Sequence, residues 1–407
     1  MLVDKIKEYQ QKDFGIDHTN KKQYGEVFTS FPLIIKILNQ LPIEVWSNPS
    51  LTWLDPCCGV GHFAMVVFER LYIGLSRWQP DVIKREEYIL EHMLFMLDIN
   101  EENVKKSREF FGLKSNVIEA SFLDSGDRQY DIIVGNPPFN VSRQKACGHT
   151  LWQLFIHKIL NVNLTYNGYL AFMHPPMWRK PILTKRSPNN GLYQLLCCTH
   201  QMIYLSIQNK KQGNKDLGCN TRYDWYIVKK DKVRRLTTIN DEYNEISEIY
   251  LPDYNWIPNS NITKIYSLTD GNKIPLLYSR NAYSPENNWV SSIQDNIFCY
   301  PLIHSTPKKG IQYRYSKVNN RGHFGISKVI FGEGGIHHCI IDMEGKYGMT
   351  QGAIAIQVFH YNEALQLKNI LLSKTFQEII ESCCFSAYRI DWCVLSLLSY
   401  KVFDNIK

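Results

Sequence analysis

Short, almost wholly apolar runs alternate along the first half of the chain with stretches whose apolar residues recur at helical spacing. This is the pattern of buried parallel strands joined by amphipathic helices. Leu33, Ile34, Ile37, Leu38 and Leu41 form one such stripe, with Thr29 or Ser30 as N-cap ahead of Phe31-Pro32 in a first turn. Leu51 to Leu54 then reads as a strand and Phe63 to Leu71 as a helix. A polar, helical insertion spans Arg77 to Glu91 and leads into a strand at Met93 to Leu97. NVIEASFLDS supplies a third strand with Ser121 and Phe122 at its end, and Ile132 to Val134 a fourth.

The alternation continues past residue 150. LWQLFIHKILNVNL reads as a helix with Leu151, Leu154, Phe155 and Ile159 on one face, and NGYLAFMHPPMW as a strand stopped by Pro175-Pro176. A helix near Gly191 to Thr199, a strand in QMIYLSIQ, a very polar stretch from Asn209 to Thr221 and a strand at Tyr223 to Val228 follow. These elements make a seven-strand, doubly wound α/β sheet of mixed type with one antiparallel edge. Beyond a boundary between Asp231 and Glu248 the texture changes to short β-like runs broken by Pro, Asn and Gly. The expected domains are therefore 1–235 and a smaller α+β or β-rich domain at 240–407, closed by helices at Asn362 to Glu381 and Ile390 to Lys401. Between those helices, Cys383 to Arg389 is a candidate substrate-facing segment.

Composition narrows the class. The 407 residues are 44% hydrophobic and 21% charged, which suits a globular protein of two domains. No window approaches the roughly 18 uninterrupted apolar residues of a membrane span. The mixed-charge start MLVDKIKEYQQKDF has no signal-peptide character. Eleven cysteines include three adjacent pairs and no Cys-x-x-Cys, so reduced thiols and an intracellular setting are expected, and no metal. The net charge of +7 is unevenly spread: residues 140–235 hold 16 Lys or Arg against 3 Asp or Glu. A basic band there is what a polyanion-binding face needs, although single clusters such as Lys229-Lys230 or Arg234-Arg235 read equally well as solvated surface.

The candidate chemistry sits at strand ends. After Asp55-Pro56, Gly59 and Gly61 let the backbone pass close to a ligand ahead of a helix, as in nucleotide-binding folds. Asp98 ends the next strand, where a carboxylate can take both hydroxyls of a ribose. Phe122 is placed to pack on an adenine or in the core. The fourth strand runs into Asn136-Pro137-Pro138-Phe139. The Asn136 side-chain carbonyl and the Pro137 backbone carbonyl can grip the two N–H bonds of an aryl amine, freeing its lone pair. The prolines hold those carbonyls in place beforehand, and Phe139 offers a face on which a planar base can stack.

GEVFT, DPCCGVGHF, the MLDIN acid and GNPPF, in that order, resemble the amino-group DNA methyltransferases of the gamma arrangement, of restriction-modification or large-DNA-virus type. The resemblance covers residues 21–230, and FSAYRIDW resembles the family's closing segment. It implies S-adenosylmethionine as cofactor, with Thr29 holding its methionine moiety, Asp55, Gly59 and Gly61 lining its pocket and Asp98 on its ribose. It also implies N6-adenine methylation of double-stranded DNA with base flipping, a C-terminal target-recognition domain and, in some systems, a cognate restriction endonuclease as partner. Where the family often has an acid before the third-strand Phe, this chain has Ser121.

Two alternatives stand beside this reading. The same fold suits another planar amine, such as cytosine's, one in RNA or a protein glutamine. A catalytically silent subunit that binds DNA for a partner is the other. Trp178, Tyr223 and Trp225 are candidates for a second aromatic wall of a base pocket, and equally for core.

Overall fold

The computed structural model describes residues 1–11, 29–139, 150–182, 187–386 and 389–404. The chain divides into two compact units, Met1–Trp178 with Thr184–Asn255, and Arg179–Leu183 with Trp256–Lys407.

The first unit is built on a nine-stranded, mostly parallel sheet of order β3-β2-β1-β4-β5-β7-β6-β8-β9. Its strands are β1 Trp53–Asp55, β2 Leu94–Asp98, β3 Asn116–Glu119, β4 Tyr130–Gly135, β5 Leu164–His174, β6 Gln201–Gln208, β7 Tyr223–Lys229, β8 Thr237–Asn240 and β9 Ile246–Ile249. The helices are α1 Leu2–Gln11, α2 Phe31–Leu38, α3 His62–Gly74, α4 Val82–Tyr88, α5 Glu101–Phe111, α6 Trp152–Lys158 and α7 Lys210–Leu217. The central strands are apolar throughout because both faces are covered: every residue of β1 and β2 is buried. The Leu33, Ile34, Ile37, Leu38 and Leu41 stripe is buried as its spacing requires.

The expected seven strands are all present, but the first unit departs from expectation at β7, at the domain limits and in the helix after residue 150. The antiparallel member β7 lies inside, hydrogen-bonded to β5 and β6, and its residues Tyr223 to Val228, Asp224 included, are all buried. The limits 235 and 240 fall inside the sheet, because β8 pairs with β6 and β9 closes the edge with an exposed face. The helix after residue 150 buries Trp152, Phe155, Ile156, Ile159 and Leu160, while Leu154 is 52% exposed, so its apolar stripe is offset from the one expected. The helix expected near Gly191 to Thr199 is present, residues 192–199 being helical, and the polar stretch from Asn209 contains α7, capped by the Asn209 side chain accepting from the Gln212 amide.

The second unit is β-rich with helices, as expected. Its strands are β10 Leu276–Leu277, β11 Val290–Ser291, β12 Tyr300–Ser305, β13 Gln312–Ser316, β14 Lys328–Gly332, β15 Gly335–Asp342, β16 Gly348–Met349 and β17 Ala353–Gln357. They form two four-stranded sheets, β10-β17-β14-β15 and β11-β13-β12-β16. Ile303, Ile330, Met349, Ala353 and Ala355 form a core between strands of both sheets. Tyr361–Leu372 and Lys374–Ser382 are separate helices, because Ser373 ends one and caps the next. Trp392–Leu395 and Lys401–Asp404 are short turns of helix where one longer helix was expected. Among the described residues no helix is long and apolar enough to cross a membrane, and no cluster of side chains could hold a metal ion.

Candidate active site at the carboxyl edge of the sheet

Five strand ends open on one edge. Parallel pairing sets Leu54 against Ile133, Asp55 against Met96, Asp98 against Glu119 and Gly135 against Phe172, so β1, β2, β3, β4 and β5 all open the same way. Neighbouring strand order puts the loop after β1 beside the turn after β4, although they are remote in sequence.

The β1 loop is held from both sides. Its Cys58 amide donates to the Leu97 carbonyl at 2.8 Å and its Gly59 amide to Asp98 Oδ2 at 2.8 Å. Asp98 Oδ1 accepts from the Asn100 amide at 2.9 Å. Gly59 adopts a φ of +55° with open space where a side chain would be. Gly61, at φ +92°, lies against α5: a Cβ there would sit 2.7 Å from the Phe111 ring. Asp55 is fully buried, and burial pushes its carboxyl up to about 8, with nearby Asp98 acting in the same direction and the Cys57 amide opposing. Burial also raises the Cys57 and Cys58 thiols, first among causes, which suits packing and not nucleophilic attack.

The β4 turn rests on this loop. Gly135, at φ +155°, passes so close to Asp55 that a Cβ would lie 3.1 Å from its Oδ1. The Cys57 thiol donates to the Asn136 backbone carbonyl at 3.3 Å, a direct tie between the two loops. The Asn136 side-chain N–H donates to Thr29 Oγ1 at 3.2 Å. Pro137 is buried, Pro138 half-buried, and Phe139 half-buried against the main core. Thr29 is buried, its carbonyl taking the His62 Nδ1 proton at 3.2 Å. Since a carbonyl only accepts, Nδ1 carries that hydrogen, and burial lowers the His62 pKa, favouring the neutral ring.

Thr29, Asp55, Gly59, Gly61, Asp98 and Asn136 thus gather at one edge. Phe122 follows β3, buried against Phe155 at a ring separation of 5.2 Å and beneath Lys158. Ser121 precedes it at the start of a single helical turn. Trp178, Tyr223 and Trp225 are fully buried, the Trp178 indole donating to Asp224 at 2.9 Å, so all three are core. Of the GEVFT segment only Thr29 is among the described residues, and the basic loop Val141 to His149 lies outside them.

The basic band is divided by the fold. Arg179 and Arg222 are fully buried, the first donating to the Ile257 and Pro258 carbonyls and the second paired with Glu242. Lys229 to Arg235 begins at the far edge of the sheet, since Lys229 pairs with Tyr169 while Asp224 pairs with His174 beside the site. Sequence reading passed over Cys57, His62 and Met173 as site neighbours, because their contacts depend on which strands are adjacent.

Comparison with known proteins adds likenesses in sequence and in fold. Residues 66–190 match the model of the Eco57I restriction-modification methylases, a span that includes Asp98 and Asn136 to Phe139. A stretch of 77 residues is 39% identical to an uncharacterized adenine-specific methylase of Mycoplasma pneumoniae, 18% of this chain and 18% of that protein. The chain therefore spans about a fifth of the length of that relative in the match. Among solved structures, the type IIL restriction-modification enzyme MmeI bound to DNA matches with a TM-score of 0.57 at 13% identity, over 93% of this chain and 69% of that one. A nuclease-deletion mutant of the type ISP restriction-modification enzyme LlaGI, with a DNA substrate mimic, matches at 0.54 and 12%, over 87% and 51%. The chain thus shares its fold with these restriction-modification enzymes, and over residues 66–190 it is similar in sequence to the Eco57I restriction-modification methylases.

Proposed function

We propose that this protein is an S-adenosylmethionine-dependent DNA methyltransferase acting on the exocyclic amine of adenine. The observation that carries the reading is the union of two loops: the Gly59 loop and the Asn136 turn stand on adjacent parallel strands and touch through Cys57 and Asn136. The Eco57I match and the adenine-specific relative support methyl transfer and adenine.

The residues present fit the cofactor. Asp55 and Asp98 offer carboxylates toward a cation and a ribose, the backbone at Gly59 is open, and α3 starts without a side-chain cap, a place where a carboxylate is favoured. Thr29, Asp55, Gly59, Gly61 and Asp98 would hold the group, with Phe122 toward its adenine. When bound, S-adenosylmethionine supplies an electrophilic methyl group.

The chain's own residues do the rest. The Asn136 side-chain carbonyl and the Pro137 carbonyl accept the two N–H bonds of the target amine, localising its lone pair on nitrogen. Phe139 stacks on the base, contributing roughly 1–3 kcal/mol. The target leaves the duplex because its amine lies inside a base pair, at an unstacking cost of a few kcal/mol. The methylated amine then releases one proton to water. The second unit is assigned to target recognition on double-stranded DNA, and a cognate restriction nuclease is the partner this reading implies.

The test is incubation of the full chain with methyl-labelled cofactor and mixed-sequence duplex DNA, followed by nucleoside mass spectrometry. N6-methyladenine is the expected product. Label recovered only in methylated cytosine, in RNA or in protein would reassign the acceptor, and bound cofactor with no transfer would leave a silent DNA-binding subunit.

A further inference from the structure

We infer that Thr29 is a positioning residue for Asn136, orienting the amide on which methyl transfer depends. The inference rests on the methyltransferase reading and goes beyond the cofactor-holding role that the motif order implies for Thr29.

The amide of Asn136 has two ends with opposite hydrogen-bonding character, and only its oxygen can accept from a substrate amine. Rotation by half a turn would present N–H groups to that amine, which donor and donor would repel. What selects the orientation is the partner of the nitrogen. Here the Asn136 N–H donates to Thr29 Oγ1 at 3.2 Å, and the Thr29 hydroxyl in turn meets Met173 Sδ at 3.7 Å on β5. A hydroxyl whose proton is directed to sulfur presents its lone pairs to the amide, so the nitrogen faces Thr29 and the oxygen is turned away from it.

Thr29 is itself fixed. Its side chain is buried, and its carbonyl accepts from His62 at the first turn of α3. The His62 ring packs on Phe31 and Tyr9, with centroids 4.8 and 5.9 Å apart. The threonine therefore joins the helix that follows the Gly59 loop, the turn after β4 and the end of β5, three elements that sequence order keeps apart. An amide set beforehand needs no reorganisation when the base arrives.

Thr29→Val keeps the side-chain shape and removes the hydroxyl, and Thr29→Ser restores it. Three readouts on the full-length protein separate the roles: single-turnover methyl transfer at saturating cofactor and DNA, cofactor affinity by calorimetry, and the side-chain amide resonance of Asn136 in asparagine-labelled protein, assigned with Asn136→Ala. The expected result for Thr29→Val is a fall in transfer rate, at saturating cofactor, of about tenfold or more, exceeding whatever loss of cofactor affinity the same change brings through the residue's cofactor-holding role. The amide resonance should move, and Thr29→Ser should restore both rate and resonance. An unchanged rate, or a loss confined to cofactor affinity, would overturn the inference while leaving the methyltransferase reading intact. If the native protein transfers no methyl group to any acceptor, that reading fails, and the resonance alone decides: unmoved in Thr29→Val, it refutes the positioning role, and moved with rescue by serine, it supports it.

Discussion

The Gly59 amide donates to the Asp98 carboxylate over 2.8 Å, so the loop that ends β1 hangs from the residue that ends β2. The other carboxylate oxygen accepts from the backbone amide of Asn100, whose side chain caps α5 by accepting from the Glu102 amide. One side chain therefore fixes two loops. Asp98→Ala is expected to lower stability by about 1.5–3 kcal/mol, the scale of hydrogen bonds to a charged acceptor, and to weaken cofactor binding. Denaturant unfolding and calorimetry check this. Unchanged values in both would mean that the loop is held by its other contacts.

Asn136 is half-buried in a turn stiffened by two prolines, and its side chain is where the proposed chemistry occurs. Asn136→Ala is expected to reduce methyl transfer by about a hundredfold or more, the scale of losing one preorganised electrostatic group. Cofactor binding and folding should persist, because the loop at Gly59 is retained. A silent DNA-binding subunit would instead show no change in any activity.

Gly59 and Gly61 should respond differently to the same change. At Gly61 an alanine meets Phe111 at 2.7 Å in addition to a strained φ of +92°, so Gly61→Ala should destabilise by roughly 1–3 kcal/mol. At Gly59 nothing stands within 4 Å, leaving the φ of +55° as the stability term, about 1 kcal/mol. Gly59→Ala should therefore cost little stability yet lower cofactor affinity, because the methyl occupies the open face. Thermal unfolding paired with calorimetry distinguishes the two.

Asp55 gives a pH dependence of definite sign. Its folded pKa, raised by burial to about 8, exceeds that of an unfolded aspartate at about 3.9, so the native state holds a proton that the unfolded state lacks between those values. Its contribution to stability is complete below pH ~4 and is lost as pH rises to ~8, with a slope of at most about 1.4 kcal/mol per pH unit. Unfolding measured from pH 5 to 8 should show a shallower decline in Asp55→Asn. A cationic ligand group beside Asp55 would favour its ionised form, so cofactor binding at pH 7 should release up to about one proton, read from binding heats in buffers of differing ionisation enthalpy. No dependence of heat on buffer would count against a cation at Asp55.

Much of the first unit was legible because its signals are local. A strand buried on both faces is apolar without alternation, and Met93 to Leu97 and Ile132 to Val134 carry that signal in a few residues. Gly59 and Gly61 stand where positive φ excludes side chains, and Asn136-Pro137-Pro138 has few structural uses. The C-terminal unit was legible only as a texture, because its strands are short and pair across turns of varied length. The offset of the stripe after residue 150 arose because Leu151 and Leu154 match the period locally, while the neighbouring sheet and Phe122 select Trp152, Phe155 and Ile156 instead.

By itself the sequence determined which residues end strands, where the backbone must turn left-handed and which side chains carry chemistry, since each depends on a few neighbours along the chain. Tertiary structure decided that β1 lies between β2 and β4, that β7 is internal, that Arg179 and Arg222 point inward and that Thr29 meets Asn136. Those outcomes depend on which buried surfaces fit against one another, a property of the whole fold that no local stretch records.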